Sequence, residues 1–336
     1  EIRKIHSGIN HPLTAEAYNN LAVLYMAKGM YDTALTLNQH ALQIRTKTLP
    51  GNHPNIALSY NNIGNTYMAK GNYEEALAYH MRALEIRNKI FKTENADMAM
   101  SYANLGSLFH EIGRFDEALN YFLKALDITE KVFGPDNPHT SEAYNNVGAA
   151  FSDLGDYDRS LDYFKKSLTL RMKRGEFSPG VSTSYNNIGS IYKYRGDYDL
   201  ALSYYRRSVE VIIKLYGNKH PDLIRRYKNM GEVFETEGLI DTALYYYNEA
   251  LKLNLDAVGE EHSGLASIYL NRGTALGKLN DLQKAKDDYS MGLKITKESL
   301  GDQSSLAANF YSAISSVLLT ENKKDSAIVL QRKSIR

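Results

Sequence analysis

The chain contains no cysteine and no tryptophan, and only seven prolines in 336 residues. Without cysteine these residues can hold no disulfide, no thiolate metal site and no cysteine nucleophile. No apolar run approaches the roughly 20 residues that a membrane helix needs. An excess of one charge is also missing, since 40 lysines and arginines meet 39 aspartates and glutamates for a net charge of +1. A general nucleic-acid or membrane-surface binder carries a basic excess, so both partner classes are disfavoured. Catalytic signatures are lacking too: there is no Gly-x-x-x-x-Gly-Lys-Ser/Thr loop, no His-Glu-x-x-His and no Gly-x-Ser-x-Gly. Neither catalysis nor a cofactor or metal is expected within these residues, and the expected location is the cytoplasm. The 43% of hydrophobic residues is enough to build a core and argues against intrinsic disorder.

What the chain has in quantity is tyrosine, 26 in all, set in a register. Tyr18, Tyr60, Tyr102, Tyr144, Tyr185, Tyr227, Tyr269 and Tyr311 are separated by steps of 42, 42, 42, 41, 42, 42 and 42 residues. Seven residues after each lies a second column, Tyr25, Tyr67, Phe109, Phe151, Tyr192, Phe234, Leu276 and Leu318. A glycine column follows at 29, 71, 113, 155, 196 and 238, replaced by Asn280 and Asn322. Small residues recur at Ala34, Ala76, Ala118, Ser160, Ala201, Ala243, Ala285 and Ala327, and again seven residues further on.

These spacings are helical. An aromatic at i, an aliphatic at i+3, Gly or Ala at i+4 and an aromatic at i+7 place one apolar stripe on a helix. The Gly or Asn beyond it suits a left-handed helix end. The next stretch, such as Tyr73 to Ile90, repeats the pattern with Ala76, Leu77, Ala83, Leu84 and Ile86. Each unit therefore reads as two antiparallel helices joined by a tight turn, brought close by small residues with aromatics filling the gaps. Pro12, Pro54, Pro138, Pro179 and Pro221 share one link register, and Pro is tolerated at a helix's first position, where its missing N–H has no partner anyway. The residues before this register (His11, His53, Asn95, Asn137, Ser178, His220, His262 and Ser304) sit where an N-cap belongs. Four of the nine histidines thereby acquire a structural role, and His110 is expected to be solvated or groove-lining. The single 41-residue step falls in the link between Leu168 and Pro179.

The Tyr, Leu, Gly, Tyr, Ala and Ala positions resemble the tetratricopeptide repeat (TPR). The 42-residue period with its Gly51-Asn52-His53-Pro54 link is similar to the kinesin light chain-like subtype. The likeness spans the whole chain. It implies an all-α fold, a right-handed α-solenoid of about eight helix pairs. Residues 1–12 would finish an earlier repeat's second helix and its link, with repeats starting near 13, 55, 97, 139, 180, 222, 264 and 306 and the last one truncated. Glu1-Ile2-Arg3 aligns with Gln43-Ile44-Arg45, and Ile335 with Leu42 and Leu84, so the chain reads as a piece of a longer polypeptide. Repeats 7 and 8 depart most, with Arg272 in the aliphatic column and Lys324 in an aromatic one.

The resemblance further implies a non-catalytic module that holds a protein or peptide segment in its groove. One column fits that expectation. Asn20, Asn62, Asn104, Asn146, Asn187, Asn229 and Asn271 stand just before the aliphatic position in seven of the eight repeats, with Ala313 the exception. Asn is a mediocre helix former, so its recurrence in mid-helix requires a cause beyond propensity. The position lies about 200° from the core Tyr and from the core Gly, off their stripe. In TPR arrays the corresponding position lines the groove, where an amide can both donate to and accept from one extended peptide unit. An asparagine ladder holding a main chain is the expectation; the alternative is that these amides bond neighbouring helices and set inter-repeat geometry. Asn19, Asn61, Asn65, Asn145 and Asn186 are candidate neighbours, together with adaptable methionines such as Met26, Met68 and Met100. Lys193, Arg225 and Lys228 form a candidate receptor for an acidic side chain or C-terminal carboxylate. Glu232, four residues after Lys228, departs from the Lys/Asn pattern of TPR domains that clamp chaperone tails. The resemblance carries a second expectation. Bacterial chains with similar repeats are often joined to caspase-like (CHAT-type) peptidases or signalling domains, which would make this array the sensor or regulatory region of a larger enzyme with a covalently linked effector.

Overall fold

The computed structural model describes Gly8, residues 10–258 and residues 264–335. Glu1 to Arg3 and His262 lie outside the described residues. Among those described there are sixteen α-helices, one 3-10 turn and no strand. They form eight hairpins: α1 (Pro12–Ala27) with α2 (Tyr31–Thr48), α3 (Pro54–Ala69) with α4 (Tyr73–Ile90), α5 (Ala96–Glu111) with α6 (Phe115–Phe133), and α7 (Ser141–Asp153) with α8 (Tyr157–Met172). The series continues with α9 (Pro179–Arg195) and α10 (Tyr198–Tyr216), α11 (Asp222–Thr236) and α12 (Ile240–Val258), α13 (Gly264–Lys278) and α14 (Leu282–Leu300), and α15 (Ser305–Thr320) and α16 (Lys324–Ser334). The fold is an all-α repeat solenoid. It comprises two compact units, Glu1–Arg174 and Gly175–Arg336, and the division falls in the link that carries the one-residue deletion. Within each unit, every second helix packs on its own first helix and on the first helix of the next repeat.

The helix ends follow from the link chemistry. His11, His53 and His220 each turn Nδ1 to accept a backbone N–H two residues on, from Leu13 at 3.2 Å, Asn55 at 3.1 Å and Asp222 at 3.3 Å. Asn95, Ser178 and Ser304 accept from Met98, Val181 and Ala307 at 3.1, 3.3 and 3.3 Å. These bonds satisfy donors that have no partner inside the helix and contribute about 1 kcal/mol per cap. The first helices end in left-handed residues, Gly29 at φ 73° through Gly238 at φ 80°, then Asn280 at 61° and Asn322 at 60°. Asn is the side chain that tolerates this conformation best after Gly. At the first of these ends, the Gly29 N–H donates to Met26 and the Met30 N–H to Tyr25, both at 2.9 Å, which closes the helix in a Schellman turn.

Inside the hairpins of repeats 2 to 7, a glycine of the first helix lies under a ring of the second. A Cβ built on Gly106 would stand 2.6 Å from Phe122; on Gly148, 2.9 Å from Phe164; on Gly189, 2.8 Å from Tyr205; on Gly273, 2.6 Å from Tyr289. The rings sit sixteen residues after the glycines, and no reading of the first helix alone could locate them. A second set of rings forms a triad on the same hairpin, in which a second-helix tyrosine meets both columns of the first helix. Tyr79 is 5.9 Å from Tyr60 and 5.4 Å from Tyr67; Tyr121 is 6.3 Å from Tyr102 and 5.2 Å from Phe109; Tyr163, Tyr204 and Tyr246 repeat the arrangement. Most of these tyrosines are half-buried, keeping an apolar body inside and a polar tip near water. Repeat 7 accommodates Arg272 by a compensating change. Asp288 replaces the triad tyrosine and accepts both Nε and Nη2 of Arg272, at 2.7 and 2.6 Å, so two polar intruders satisfy each other.

Repeat 2 carries His80 where repeats 3 to 7 have a phenylalanine or tyrosine ring over glycine. It is fully buried, with Nδ1 3.3 Å from Asn61 Oδ1. Burial, reinforced by the nearby Arg87 charge, pushes its pKa from the ordinary 6.5 down to about 4.

Two stability predictions follow from this core. Gly106→Ala should lower stability by about 1–2 kcal/mol in urea denaturation, because an overpacking cost of about 1–3 kcal/mol outweighs a gain of about 1 kcal/mol in helix propensity; an unchanged midpoint would show that the ring yields freely. Between pH 6.5 and 4 the unfolded chain binds a proton at His80 that the folded chain refuses, so stability falls as pH drops through that window, by up to about 3 kcal/mol. Denaturation of His80→Phe across the same range should show a shallower pH dependence than the wild type.

Candidate functional site

The asparagine column does not stay equivalent along the chain. Asn104 and Asn146 line one notch of about 390 Å3 between α5, α6 and α7, beside Met100, Phe122 and Phe133. That volume lies in the lower part of the range for ligand pockets, about 300–1,000 Å3. Both amides are partly exposed, and among the described residues neither has a side-chain hydrogen-bond partner. Asn62 lies outside that notch; its C=O accepts from Thr66 Oγ1 at 2.8 Å and from Asn38 Nδ2 at 3.4 Å, and among the described residues its side-chain amide has no hydrogen-bond partner. Asn20 is exposed, and Asn65, on α3, is half-buried.

Other members are spent inside the protein. Asn229 is buried and donates to Asn186 Oδ1 at 3.0 Å across two repeats. Asn271 donates to Glu232 Oε1 at 2.9 Å, again across repeats. Asn187 and Asn145 are half-buried and already engaged with neighbours. Asn19, Asn61 and Asn186 are at most 5% exposed. Standing one residue before the ladder position, they are turned by about 100° towards the second helix. Asn19 donates to Asn38 Oδ1 at 2.8 Å, and Asn61 faces His80. These three therefore line no open surface, a correction to their place among the groove candidates.

The basic cluster is also corrected. Lys193 Nζ lies 2.6 Å from Glu232 Oε2, and Lys228 Nζ 3.5 Å from Oε1. Burial alone would raise the Glu232 pKa, but the charges of Lys193 and Lys228, with the hydrogen bonds from Lys193 and Asn271, hold it below the usual carboxylate range. The protein's own carboxylate thus occupies the place foreseen for an acidic ligand, and Arg225 remains as an exposed cation outside that knot. A parallel tie joins Lys278 to Glu235 at 2.8 Å, with the Tyr247 hydroxyl donating to the same carboxylate at 2.8 Å. His110 keeps 37% of its side chain exposed and is tied to the next repeat. Its Nε2 meets Asp153 Oδ2 at 2.8 Å across repeats 3 and 4, a bond that raises its pKa. Among the described residues no group of His, Asp and Glu is arranged to hold a metal, and no helix is long and apolar enough to cross a membrane.

Stacked helix hairpins with glycine-capped turns and a face of first helices define a helical repeat scaffold. Tetratricopeptide repeat models match residues 13–89, 55–131, 97–173 and 180–256, and a second model of the same repeat matches 266–298. The chain belongs to the tetratricopeptide repeat family. Comparison with curated proteins finds no match. Among solved structures, the chain is similar to BtubC (BKLC) from P. vanneervenii, with 19% identity over 74% of this chain and 91% of that one and a TM-score of 0.54. It is also similar to the Rap conjugation gene regulator of plasmid pLS20 in complex with the Phr* peptide, at 16% identity, 96% and 94% coverage and a TM-score of 0.63. A third neighbour is a STAND signal-transduction ATPase with a tetratricopeptide repeat sensor from Pyrococcus horikoshii, at 17% identity and a TM-score of 0.65, matched over 96% of this chain and 47% of that one. At such identities the likeness is one of fold.

Glu232→Gln tests the corrected cluster. The neutral amide should release Lys193 and Lys228, lowering stability by about 1 kcal/mol and creating affinity for inorganic phosphate that the wild type lacks. Calorimetric titration with phosphate reads the second effect, and equal binding by both proteins would mean that the lysines were already available.

Proposed function

We propose that this chain is a non-catalytic binding module that holds an extended segment of a partner protein, gripping its main chain through Asn104 and Asn146, with Asn62 extending the same row. The observation that carries this reading is the shared notch: two amides at equivalent positions of consecutive first helices, open to a ligand while others of the column are spent internally. Each amide supplies donors and an acceptor, the complement of a peptide unit. The apolar walls from Met100 and Phe133 add contact without selecting charge. A solved neighbour of like fold was captured with a peptide, which agrees with this use of the scaffold. The ladder is therefore read as a short one, centred on repeats 2 to 4, rather than as one running the length of the array.

A second reading concerns context. The neighbour described as a STAND ATPase carries its repeats as a sensor, and the match covers about half of that chain. The same binding role would then serve as the sensing region of a larger signalling protein or of a caspase-like peptidase.

The test uses a phage-displayed library of random dodecapeptides selected on the wild-type protein. Peptides so enriched should lose at least about tenfold in affinity on an Asn104→Ala/Asn146→Ala variant, about 1.4 kcal/mol for two amide contacts, while helical content and melting stay unchanged. N-methylation of the gripped peptide bond should weaken binding similarly, whereas exchanging charged side chains should matter little. Peptides that bind the double variant as tightly as the wild type would refute the amide grip.

A further inference from the structure

The ring triads of the hairpins carry a column of cations. Three residues after the stacked tyrosine, or after the residue that replaces it in repeats 1, 7 and 8, stand His40, Arg82, Lys124, Lys166, Arg207, Glu249, Met291 and Lys333. Arg82 lies 5.5 Å from the Tyr60 ring centre. Lys124 lies 5.9 and 5.5 Å from Tyr102 and Tyr121, and Lys166 lies 5.9 and 5.1 Å from Tyr144 and Tyr163. Arg207 lies 6.0 and 5.6 Å from Tyr185 and Tyr204, and Lys333 lies 5.2 Å from Tyr311. These are the separations at which a ring face attracts a positive charge.

Repeat 6 keeps the rings and inverts the charge. Tyr246 stacks on Phe234 at 5.4 Å and faces Tyr227 at 5.9 Å, but the cation position is Glu249, whose charge is felt at the Tyr227 hydroxyl. Among the described residues no lysine or arginine lies over Tyr227 or Tyr246. A third ring is added there. Tyr245, 59% exposed, meets Tyr246 edge to face at 5.2 Å and 80°, where other second helices place Thr36, Ala78, Asn120, Asp162 or Ser203. The three tyrosines and Met230 line a cavity of about 490 Å3, with Glu210 and Arg206 among its walls. Lys214, also in the wall, has its ammonium over Phe177 at 3.6 Å and is committed there.

We propose that this cavity takes a cationic side chain, arginine or lysine, from a partner polypeptide, caged by Tyr227, Tyr245 and Tyr246 and neutralised by Glu210 in its wall, with Glu249 one helical turn beyond Tyr245 and Tyr246 adding to the negative charge. The occupant's chemistry is read from the repeats that supply it themselves: where a hairpin brings its own Arg or Lys to these rings, the position is filled, and where it brings a carboxylate, the ring face and the negative charge both select a cation from outside. An acidic partner side chain would meet Glu249, and a neutral one would gain only apolar contact. Arg206 is the molecule's own competitor for the rings. The site lies between α10, α11 and α12 and is separate from the amide row of repeats 2 to 4, so each proposal can fail alone.

The test is a titration of protein carrying 13C-labelled tyrosine with a capped Gly-Arg-Gly peptide, its citrulline counterpart and tetramethylammonium, read by NMR at the ring signals of Tyr245 and Tyr246, assigned from the Tyr→Phe variants. The arginine peptide should shift these signals at a concentration at least tenfold lower than the citrulline peptide. Glu249→Lys, which restores the resident cation, should keep the melting temperature and lose arginine binding at least tenfold; Glu249→Gln, which leaves the cage empty, should lose less; Arg206→Ala should bind more tightly. Equal binding of citrulline, an unchanged affinity in Glu249→Lys, or a response to tetramethylammonium without one to the arginine peptide would overturn the proposal.

Discussion

The close approach of the two helices in each repeat is the constraint on which the rest depends. In repeats 2 to 7 it is made by glycine on one helix lying against a ring on the other, so tightly that a Cβ at Gly106, Gly231 or Gly273 would fall 2.5–2.6 Å from ring carbons. At that distance the hairpin has one packing solution, because a ring cannot slide along a helix without striking the next side chain. Fixing the hairpin fixes where its outer faces point. The triad rings then cover one flank and the ladder asparagines project from another. Caps and Schellman turns terminate the helices at set positions, so that the same geometry recurs in each repeat.

Polar groups between repeats are used up in an uneven way, and that unevenness is what leaves Asn104 and Asn146 without a side-chain partner among the described residues. In the second unit, Glu232 gathers Lys193, Lys228 and Asn271, and Asn229 reaches Asn186. These are charge-assisted or buried bonds, the stronger kinds, and they consume amides that periodicity alone would have assigned to a ligand. In the first unit the ties run elsewhere, through Asn38 to Thr66 at 3.1 Å, Arg45 to Ser59 at 2.8 Å, and His110 to Asp153. Among the described residues, the side-chain amides of Asn62, Asn104 and Asn146 consequently keep their hydrogen-bonding capacity.

Much of the fold was legible because it rests on local signals repeated eight times. The register of Tyr18, Tyr60 and their successors, the left-handed turns at Gly29 and Asn280, and the caps at His53 and Ser178 each need only a few neighbouring residues to be read. The functional face was less legible, for a physical reason. Whether Asn229 or Asn146 is free depends on a partner 43 residues back or on none, and pairwise contacts across repeats leave no periodic trace. Asn19, Asn61 and Asn186 were misplaced by a single residue, and one residue on a helix is a rotation of about 100°. The rings over the glycines were missed although the signal was present: Phe122, Phe164, Tyr205, Tyr247 and Tyr289 lie sixteen residues after their glycines, a spacing that alignment of the second helices alone would have exposed.

In a repeat protein the recurring residues answer to packing, so the informative positions are those where one repeat departs from the rest and the departure is uncompensated. Arg272 departs and is compensated by Asp288, which makes it a matter of structure. Glu232 departs and is compensated by two lysines. Glu249 departs while, among the described residues, no lysine or arginine lies over its rings, and Tyr245 adds exposed aromatic surface beside it, which stability alone does not favour. The open amides of Asn104 and Asn146 belong to the same category, as polar groups whose packing partners elsewhere in the column are absent here. Reading departures against their compensation separates the residues that build the array from those that remain to meet something else.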